Sequence, residues 1–429
     1  MPGKALDREL MTASSGYRRS RPGTQPEYWH PPYASSESRS PRLPLVFLPH
    51  TQTELTGPKF AERDLAPGGT DLTQGHHGAP IGERIVVSGR VLDEDGRPMP
   101  DTLIEIWQAN AAGRYLHRWD QHNAPLDPNF TGQGAMLTDA QGGYRFVSIR
   151  PGCYPWRNHH NAWRPAHIHF SVFGPAFATR LVTQMYFPGD PLLASDPIFN
   201  CTADEAARRR LIAAFDWQTT IPETALGYRF DLTLRGQEAT PMDPAHFVPA
   251  TTSQTVGPFF EIGLAALNRT ALASASPMHQ PVVIEGRVLD ANGKGVPDAC
   301  LEIWQADREG NLPHGESGPA PFRGFGRIPT TDDGSFRLTT VKPGTTRESD
   351  GTTQAPHLAV SVFMRGLLKR LVTRIYFPGE STNSTDAVLG RIPATRRGTL
   401  VAQPIEGDLQ RLRWDIVLQG HNETVFFDC

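Results

Sequence analysis

A short passage near the middle of the first half of the chain holds side chains that could bind a metal ion. The run CYPWRNHHNAWRPAHIHF contains Tyr154, Arg164, His167 and His169, and Tyr115 lies further upstream. Residues 166–173 are short, apolar and typical of a β-strand, in which side chains two positions apart share a face. We therefore predict that His167 and His169 point the same way and form a ligand set with the two tyrosines.

The types of these four side chains indicate which metal they would hold. Phenolate is a hard anionic ligand, and a strongly Lewis-acidic trivalent ion can deprotonate a phenol despite its ordinary pKa of about 10. Two tyrosines with two histidines favour ferric iron over zinc, whose usual ligands are Cys, His and carboxylate. Taken singly, an H-x-H pair or a lone tyrosine is more often structural. The combination predicts a non-haem Fe(III) centre.

The chain contains two copies of one sequence pattern. VVSGRVLDEDGRPMPDTLIEIWQA, starting at Val86, returns as VIEGRVLDANGKGVPDACLEIWQA, starting at Val283. TELTGPKF, ending at Phe60, returns as SQTVGPFF, ending at Phe260. Self-similarity of this length indicates two related structural units.

The two copies differ at the candidate ligands. Aligned by local offset, the four pairs are Tyr115 with Leu312, Tyr154 with Thr346, His167 with His357, and His169 with Ala359. If these groups merely supported the fold, both copies would need them. The joint loss of three of the four predicts a metal site in the first copy and none in the second.

Composition and periodicity predict an all-β protein. Short alternating strands are separated by Gly- and Pro-rich turns, and a helical pattern stands out only at ADEAARRRLIAAF, from Ala203 to Phe215. A length of 429 residues favours two domains. We predict two tandem β-sandwich domains with short helices and long loops. The predicted boundaries are a partly disordered N-terminal arm at 1–45, a metal-binding domain at 46–236, a linker at 237–250 and a second domain without metal at 251–429.

Charge and motifs exclude several classes of function. A formal net charge of -3 gives no electrostatic case for nucleic acid or an anionic membrane. The N-terminus lacks the apolar core of a signal peptide, and no run approaches the roughly 20 apolar residues of a membrane span. Four scattered cysteines, Cys153, Cys201, Cys300 and Cys429, fit free thiols in a reducing compartment, so we predict a cytoplasmic protein. P-loop, G-x-G-x-x-G and G-x-S-x-G motifs are absent.

The motifs GRYLH, YPWRN, WRPAHIHF and the paired EIWQA segments resemble those of the intradiol ring-cleaving dioxygenases. One type in that family combines an iron-bearing β chain with a related α chain that lacks iron. This sequence resembles both joined head to tail, β first, over residues 25–429. The resemblance implies insertion of O2 into protocatechuate (3,4-dihydroxybenzoate) to give 3-carboxy-cis,cis-muconate, as part of aromatic catabolism through the beta-ketoadipate pathway. It also implies Fe(III) without an organic cofactor, and a homo-oligomer of the fused chain.

Residue by residue, the resemblance implies that Tyr154 and His167 are axial iron ligands and that Tyr115 and His169 are equatorial. Tyr154 would also accept a proton on release from the metal, and Arg164 would stabilise charge on the substrate ring. The implied substrate-binding residues are Tyr33, which would contact the substrate carboxylate, Trp156, Gln184, Ile198, Thr255, Gly257, Pro258 and Arg365. Phe259 stands where the family usually has Tyr, and residues 314–327 depart from the family pattern.

Three alternatives remain at this point. The same iron chemistry could act on catechol or hydroxyquinol, although those relatives have a helical N-terminal region whose period is missing here. The chain could also be a tandem β-sandwich binding module, since fold alone does not determine function. Arg164 could simply form an exposed structural salt bridge.

Overall fold

The computed structural model describes residues 16–65, 69–157, 163–240, 245–272, 280–313, 322 and 324–429. The strands before the linker are β1 (Val46–Phe47), β2 (Arg84–Asp93), β3 (Leu103–Gln108), β4 (Gln133–Leu137), β5 (Gly143–Ile149), β6 (Tyr154–Pro155), β7 (Trp163–Arg164), β8 (His167–Phe173), β9 (Leu181–Tyr186), β10 (Ala214–Phe215), β11 (Leu226–Arg229) and β12 (Leu232–Leu234). The strands after it are β13 (Val282–Leu289), β14 (Ala299–Trp304), β15 (Phe325–Pro329), β16 (Ser335–Thr340), β17 (Thr346–Arg347), β18 (Thr353–Gln354), β19 (His357–Met364), β20 (Leu371–Tyr376), β21 (Gln403–Ile405), β22 (Asp408–Arg413), β23 (Ile416–Val417) and β24 (Phe427–Asp428).

Each half of the chain is a two-layered sandwich. In the first half, the sheet β4-β3-β8-β9 packs on the sheet β10-β11-β2-β12, with β5 beside β2. In the second half, the sheet β1-β24-β20-β19-β14-β15 packs on β16-β13-β22-β21, with β23 also paired to β13. Alternate residues such as Ile85 and Val87 on β2 meet Ile104 and Ile106 on β3 in the core. The predicted all-β tandem fold is confirmed.

The helices are short. They are α1 (Gln52–Leu55), α2 (Glu205–Arg209), α3 (Glu261–Leu264), α4 (Ala387–Arg391) and α5 (Ala394–Arg397), with 3-10 turns at Ala34–Ser36, Glu62–Asp64, Phe177–Thr179, Pro191–Ser195, Phe199–Cys201, Ala265–Leu267, Ser381–Ser384 and Gly398–Leu400. The helix predicted over 203–215 is only α2, capped by the Asp204 side chain. It ends early because Leu211 and Ala213 hydrogen-bond to Tyr186 and continue as an edge of the first sandwich.

The segments that precede the two sandwiches are exchanged between them. Strand β1 pairs with β24 of the second half, and Glu54 in α1 lies 2.8 Å from Arg374 of β20. Conversely, the main-chain N–H of Gln254 donates to Val182 of the first half at 3.0 Å. TELTGPKF therefore reaches the second sandwich through Glu54, and SQTVGPFF reaches the first through Gln254. Residues 46–56 contact both halves, because β1 pairs with β24 whereas the carbonyl of Thr56 accepts a hydrogen bond from the N–H of Phe177 at 2.7 Å. The predicted boundary at 46 therefore assigns to the first domain a segment that also packs on the second.

A buried cluster of charged side chains joins the two sandwiches. Arg327 of β15 lies 2.8 Å from Glu105 of β3 and 2.9 Å from Glu302 of β14. Arg180 of the first half also pairs with Glu302, at 2.9 Å. All four side chains are at most 4% exposed, so these pairs hold the inner sheets of the two halves together.

Several other predictions can be compared with the described part of the chain. All four cysteines are free thiols, as predicted. Among the described helices, none is long and apolar enough to cross a membrane. The predictions of N-terminal disorder, of the linker and of the departure over 314–327 fall partly on residues 1–15, 241–244, 314–321 and 323, which lie outside the described ranges.

Candidate metal centre

A two-stranded hairpin places Tyr154 and Arg164 side by side. Tyr154 of β6 is directly opposite Arg164 of β7 in an antiparallel pair. Tyr154 is 8% exposed and Arg164 is 2% exposed, so both side chains point into the protein. The hairpin leads directly into β8, which brings the tyrosine and the arginine next to the two histidines.

The two histidines share one face of β8, as their spacing predicts. Their rings lie 4.9 Å apart, and both side chains are buried. The Nδ1 atom of His167 is 2.7 Å from the carbonyl oxygen of Pro165, which can only accept a hydrogen bond. Nδ1 therefore carries the proton, and Nε2, 3.4 Å from the Tyr154 hydroxyl, presents a lone pair. A carbonyl that orients a ring in this way is typical of metal-binding histidines.

His169 is held by stacking. Its ring lies parallel to the indole of Trp107, with centroids 4.6 Å apart and an interplanar angle of 4°. Trp107 is the residue opposite His169 in the pairing of β3 with β8. The Nδ1 atom of His169 has no hydrogen-bond partner within the described ranges. The imidazole is thus fixed in orientation while its Nδ1 has no partner among the described residues.

Tyr115 reaches the same place from the loop after β3. Gly113 permits the approach, because it has a φ of +79° and an added Cβ would lie only 2.1 Å from the carbonyl oxygen of Cys153. The Tyr115 ring is 5.5 Å from that of Tyr154 and 6.5 Å from that of His169. Its buried hydroxyl has no hydrogen-bond partner that satisfies normal geometry among the described residues. All four predicted ligands therefore converge.

The electrostatics leave all four groups neutral in the absence of a metal. Burial raises the pKa of the Tyr115 and Tyr154 hydroxyls above the ordinary phenol value, and the charge of Arg164 only partly opposes this. Burial, assisted by the charge of Arg164, lowers the pKa of both histidines well below their usual range. Neutral imidazole is the form that binds metal, whereas the phenols need a Lewis acid to ionise them.

The donor atoms fit a hard trivalent ion. Within the described residues, no group of three or more His, Cys, Asp or Glu side chains is placed to hold a metal. A metal bound here would therefore need the tyrosines as well as the histidines, which does not match the usual zinc sites. Buried polar atoms normally have hydrogen-bond partners, but the Tyr115 hydroxyl and the Nδ1 of His169 have none among the described residues. A metal bound between these side chains would account for this.

Arg164 is buried in an ion pair and is not the exposed salt bridge considered above. Its Nε lies 3.0 Å from Asp196, and one terminal nitrogen donates to Gln184 at 2.8 Å and to the Tyr186 hydroxyl at 3.2 Å. Burial alone would lower the pKa of Arg164, but Asp196 together with the tyrosines around the guanidinium outweighs it, and the net shift of the pKa is upward. A permanent positive charge is therefore fixed beside Tyr154.

Several predicted substrate-binding residues lie together next to this arginine. The guanidinium is 5.3 Å from the ring of Trp156, which in turn is 5.2 Å from the ring of Tyr33. Ile198 is fully buried in the same cluster as Tyr33 and Trp156. The Tyr33 hydroxyl accepts a hydrogen bond from the N–H of Gly366 at 2.7 Å and lies 3.5 Å from the Thr255 hydroxyl, so its own proton can be donated to Thr255 or to a bound ligand.

The segment before the second sandwich forms another wall. The carbonyl of Thr255 accepts from the Gln184 amide at 2.8 Å, and Gly257, with a φ of +68°, faces His169 so closely that an added Cβ would lie 3.7 Å from the ring. Pro258 follows and is half-buried. Phe259, at the position where Tyr is usual, has its ring 4.9 Å from that of Tyr115. The described contacts place Thr255 beside Gln184 and Gly257 beside His169, and their role in substrate binding stays a prediction.

Arg365 lies further out. Its side chain is 35% exposed, and its Nε is 3.4 Å from Asp298. Its carbonyl oxygen accepts from Arg39 at 2.9 Å, and the next residue, Gly366, contacts the Tyr33 hydroxyl. Arg365 is therefore placed behind Tyr33.

The counterpart site in the second half is closed by the exchanged segment. His357 keeps the main-chain contact of its Nδ1, to Ala355 at 2.8 Å, but its Nε2 lies 3.1 Å from the Thr53 hydroxyl. Thr346 pairs with Gln354 as Tyr154 pairs with Arg164, which confirms the alignment of the copies. A side chain from the N-terminal segment thus occupies the nitrogen that a metal would need.

Sequence reasoning missed that an arginine and a glutamine stand at swapped positions in the two halves. The offset of 190 that aligns His167 with His357 also aligns Arg164 with Gln354 and Gln184 with Arg374. In the second half Arg374 pairs with Glu54, and Gln254 stands at the corresponding position in the first. Asp196, which pairs with Arg164, was also missed. Both copies have an aspartate at this position, Asp196 and Asp386, so a comparison of the copies does not single it out.

Comparison with known proteins gives an independent result. A family model described as Dioxygenase matches residues 55–236 and 256–420, and one described as Protocatechuate 3,4-dioxygenase beta subunit N terminal matches residues 17–51. The protocatechuate 3,4-dioxygenase beta chain of Burkholderia cepacia is 59% identical over 222 residues, which are 51% of this chain and 94% of that protein. The alpha chain of Pseudomonas putida is 40% identical over 201 residues, 43% of this chain and 99% of that protein.

The beta and alpha relatives cover different parts of the chain. A more distant relative is catechol 1,2-dioxygenase 2 of Acinetobacter lwoffii, 35% identical over 160 residues, which are 33% of this chain and 55% of that protein. Similarity therefore extends to more than one kind of ring-cleaving enzyme.

Proposed function

Because this chain belongs to the intradiol ring-cleaving dioxygenases, we propose that it inserts O2 into protocatechuate to give 3-carboxy-cis,cis-muconate. We assign the reaction to a ferric ion held by Tyr115, Tyr154, His167 and His169. The chain would then be a natural fusion of a β-type catalytic half with an α-type half that walls the pocket. The oxidoreductase class follows from the family, while the substrate and the ligand set are our proposal.

The observation that carries the proposal is the convergence of four neutral donors in one half and their loss in the other. Two of the four, on Tyr115 and His169, are buried without a partner among the described residues. Of the four counterpart positions in the second half, only that of His357 keeps a ligand-type side chain, and its Nε2 lies 3.1 Å from the Thr53 hydroxyl. This contrast supports a site retained for chemistry in the first half.

When bound here, a ferric ion would ionise the phenols and the catechol hydroxyls and would draw electron density from the catecholate, which makes its ring susceptible to O2. Tyr154 is the protein group that we assign to accept a substrate proton, since it lies within the ligand cluster and beside Arg164. Arg164 would act as a fixed positive charge where negative charge develops on the ring. Its ion pair with Asp196 and its bond to Gln184 hold it still.

Tyr33 supports a substrate with a carboxylate. Its hydroxyl accepts from Gly366 and therefore has a proton to offer, and it belongs to the Trp156 and Ile198 cluster beside Arg164. Catechol lacks a group that would use this donor. The geometry thus favours protocatechuate over catechol, in agreement with the higher identity to the beta chain than to the catechol enzyme.

The direct test is the visible spectrum of the purified protein. Tyrosinate bound to ferric iron should colour it reddish, and protocatechuate added without oxygen should shift the absorption. Admission of oxygen should then yield the ring-opened tricarboxylate, measured by chromatography and oxygen uptake. A folded protein that remains colourless after loading with ferric iron would refute the ligand assignment.

Substrate choice is tested by Tyr33→Phe. The variant should lose preference for protocatechuate over catechol and hydroxyquinol, seen as a rise in KM for protocatechuate alone. The matched control is Tyr228→Phe, which removes a tyrosine hydroxyl from β11 of the first sandwich, outside the proposed site. An unchanged ratio of kcat/KM values in Tyr33→Phe would contradict the role of this hydroxyl.

We also propose a homo-oligomer of the fused chain in the cytoplasm. The related proteins are separate beta and alpha chains, and the exchanged segments described here already bring the corresponding halves together within one chain. Light scattering after size-exclusion chromatography would give the number of copies.

A further inference from the structure

The position of the Tyr33 hydroxyl depends on the second half of the chain. Tyr33 belongs to the N-terminal segment, but its hydroxyl accepts a hydrogen bond from the N–H of Gly366, in the turn that follows β19. Gly366 has a φ of +101°, and an added Cβ would lie 2.6 Å from the carbonyl oxygen of Ser35. The two main chains therefore touch, at a place that only glycine allows.

One buried carboxylate holds both sides of this contact. Asp298 is 3% exposed, and its two oxygens lie 2.8 and 2.9 Å from Nη1 of Arg39 in the N-terminal segment. The same Nη1 donates to the carbonyl oxygen of Arg365 at 2.9 Å, and the Nε of Arg365 lies 3.4 Å from Asp298. Asp298 thus fixes the residue that precedes Gly366 and a residue close to Tyr33 in the same segment.

The strand pairing of the second sandwich places Asp298 at this point. Ala299, the first residue of β14, is opposite Met364, the last residue of β19. Asp298 and Arg365 therefore leave neighbouring strands at the same end of the sheet. The N–H of Ala291 also donates to the carbonyl of Ser38 at 2.9 Å, so the N-terminal segment keeps a main-chain contact with the second half that does not involve the carboxylate.

The first copy of the repeat has an aspartate at the matching position. The offset of 197 that aligns Gly89 with Gly286 also aligns Asp101 with Asp298. Asp101 is exposed at a turn, whereas Asp298 is buried against two arginines. Comparison of the copies therefore does not single out Asp298, but its surroundings do.

We propose that Asp298 is a positioning residue for substrate choice, because it holds Gly366 where the Tyr33 hydroxyl can donate to the carboxylate of a substrate. This inference rests on the proposed function, which assigns Tyr33 to that carboxylate. A hydrogen bond to a charged group depends strongly on distance and angle, so a displaced hydroxyl would lose much of it. The half without the predicted iron site would then set the preference of the other half, acting through Tyr33.

Asp298→Asn tests this role. An amide does not balance the charges of Arg39 and Arg365, so we expect both to move and Gly366 to move with them. Anaerobic titration of the iron-loaded protein, followed by its visible spectrum, gives the Kd of protocatechuate and of catechol. The Kd and KM of protocatechuate should rise roughly tenfold, as expected for loss of a hydrogen bond to a charged group. Catechol has no carboxylate, so its Kd should stay at the wild-type value.

The matched control is Asp101→Asn, which makes the same substitution at the exposed counterpart and should bind both ligands as the wild type does. A double variant separates positioning from a general loss of stability. If Asp298 acts through the Tyr33 hydroxyl, adding Asp298→Asn to Tyr33→Phe should raise the Kd of protocatechuate no further. Independent effects would instead multiply.

Thermal melting shows whether Asp298→Asn is folded. If it is not, Arg39→Gln removes the same link from a side chain that is 11% exposed, and the same result is expected. Equal or tighter binding of protocatechuate in the folded variant, or multiplied effects in the double variant, would overturn the inference alone. A wild type that binds neither ligand after loading with ferric iron would refute the proposed function, and the inference with it.

Discussion

At the scale of single residues, the centre contains some polar groups that contribute little to the stability of the fold and others that contribute much. The Tyr115 hydroxyl and the Nδ1 of His169 lack partners in the described residues, so the fold gains little from them. Arg164 and Asp196, in contrast, are a buried pair whose disruption leaves a charge uncompensated. Ligand variants should therefore separate metal binding from stability more clearly than arginine variants.

The first prediction concerns Tyr115→Phe. The substitution keeps the buried ring and removes an oxygen whose contact with the Tyr154 hydroxyl falls short of normal hydrogen-bond geometry, so the free energy of unfolding of the metal-free protein should change by no more than about 1 kcal/mol. Iron affinity should fall by more than the roughly 10–100-fold that loss of an outer-shell partner costs. Urea denaturation and iron analysis measure the two effects, with Tyr228→Phe as the control. Full iron content and colour in Tyr115→Phe would remove Tyr115 from the ligand set.

At the scale of elements, the two halves use the same strands with an arginine placed differently. In the first, Arg164 of β7 contacts Gln184 of β9; in the second, Arg374 of β20 contacts Gln354 of β18 at 2.7 Å. The arginine thus stands on β7 in the first half and on β20, the counterpart of β9, in the second. Only the first arrangement places it opposite Tyr154.

The second prediction uses the second half as a template. The triple variant Arg164→Gln, Gln184→Arg and Gln254→Glu reproduces the pattern of Gln354, Arg374 and Glu54. Asp196 loses its ion pair with residue 164 in this variant, but its carboxylate still accepts a hydrogen bond from the N–H of Phe199. We therefore expect the variant to fold and to bind iron. Its kcat should fall by about 10²–10³, the usual cost of losing a preorganised charge.

Steady-state kinetics and the visible spectrum distinguish the outcomes of that experiment. The single variant Gln254→Glu, in which Arg164 is retained, is the control and should keep most of the activity. A triple variant with normal kcat would show that the position of the arginine is unimportant.

The third prediction concerns the exchanged N-terminal segment. Glu54 and Arg374 are both fully buried and lie 2.8 Å apart. Glu54→Gln would leave the arginine charge uncompensated and should destabilise the protein by about 3–5 kcal/mol. Urea denaturation measures this, and Glu62→Gln, at an exposed site in the same segment, is the control. An effect no larger than that of Glu62→Gln would mean that the segment does not stay docked on the second sandwich.

The sequence predicts what depends on local pattern and on comparison of the repeats. Alternation gives the shared face of His167 and His169, and the mismatch of the copies singles out three of the four proposed ligands, Tyr115, Tyr154 and His169. Pairing across long separations does not follow from local pattern. Strand β1 joins the second half through Phe427 and Asp428, and nothing in Val46 or Phe47 indicates that partner.

At the scale of the whole molecule, the two sandwiches are joined by the buried cluster of Arg180, Glu302, Arg327 and Glu105. Burial alone would raise the pKa of Glu302, but the two arginines outweigh it and lower that pKa to about 2, from an ordinary 4.5. Glu302 therefore contributes stability that is fully present above about pH 4.5. That stability is lost as the pH falls toward 2, because the unfolded chain takes up the proton first.

The fourth prediction follows from this linkage. At neutral pH, Glu302→Gln should be less stable than the wild type by about 3 kcal/mol, since it leaves Arg180 without a carboxylate partner. The difference in free energy of unfolding between the wild type and Glu302→Gln should decrease as the pH falls from 4.5 to 2, because protonation of Glu302 removes the same interaction from the wild type. Urea denaturation at several pH values measures the difference. Glu309→Gln, an exposed variant in the same half, should follow the wild type throughout. A gap that stays constant over this range would mean that the carboxylate of Glu302 is not what joins the halves, and the contact would then depend on apolar packing between the inner sheets.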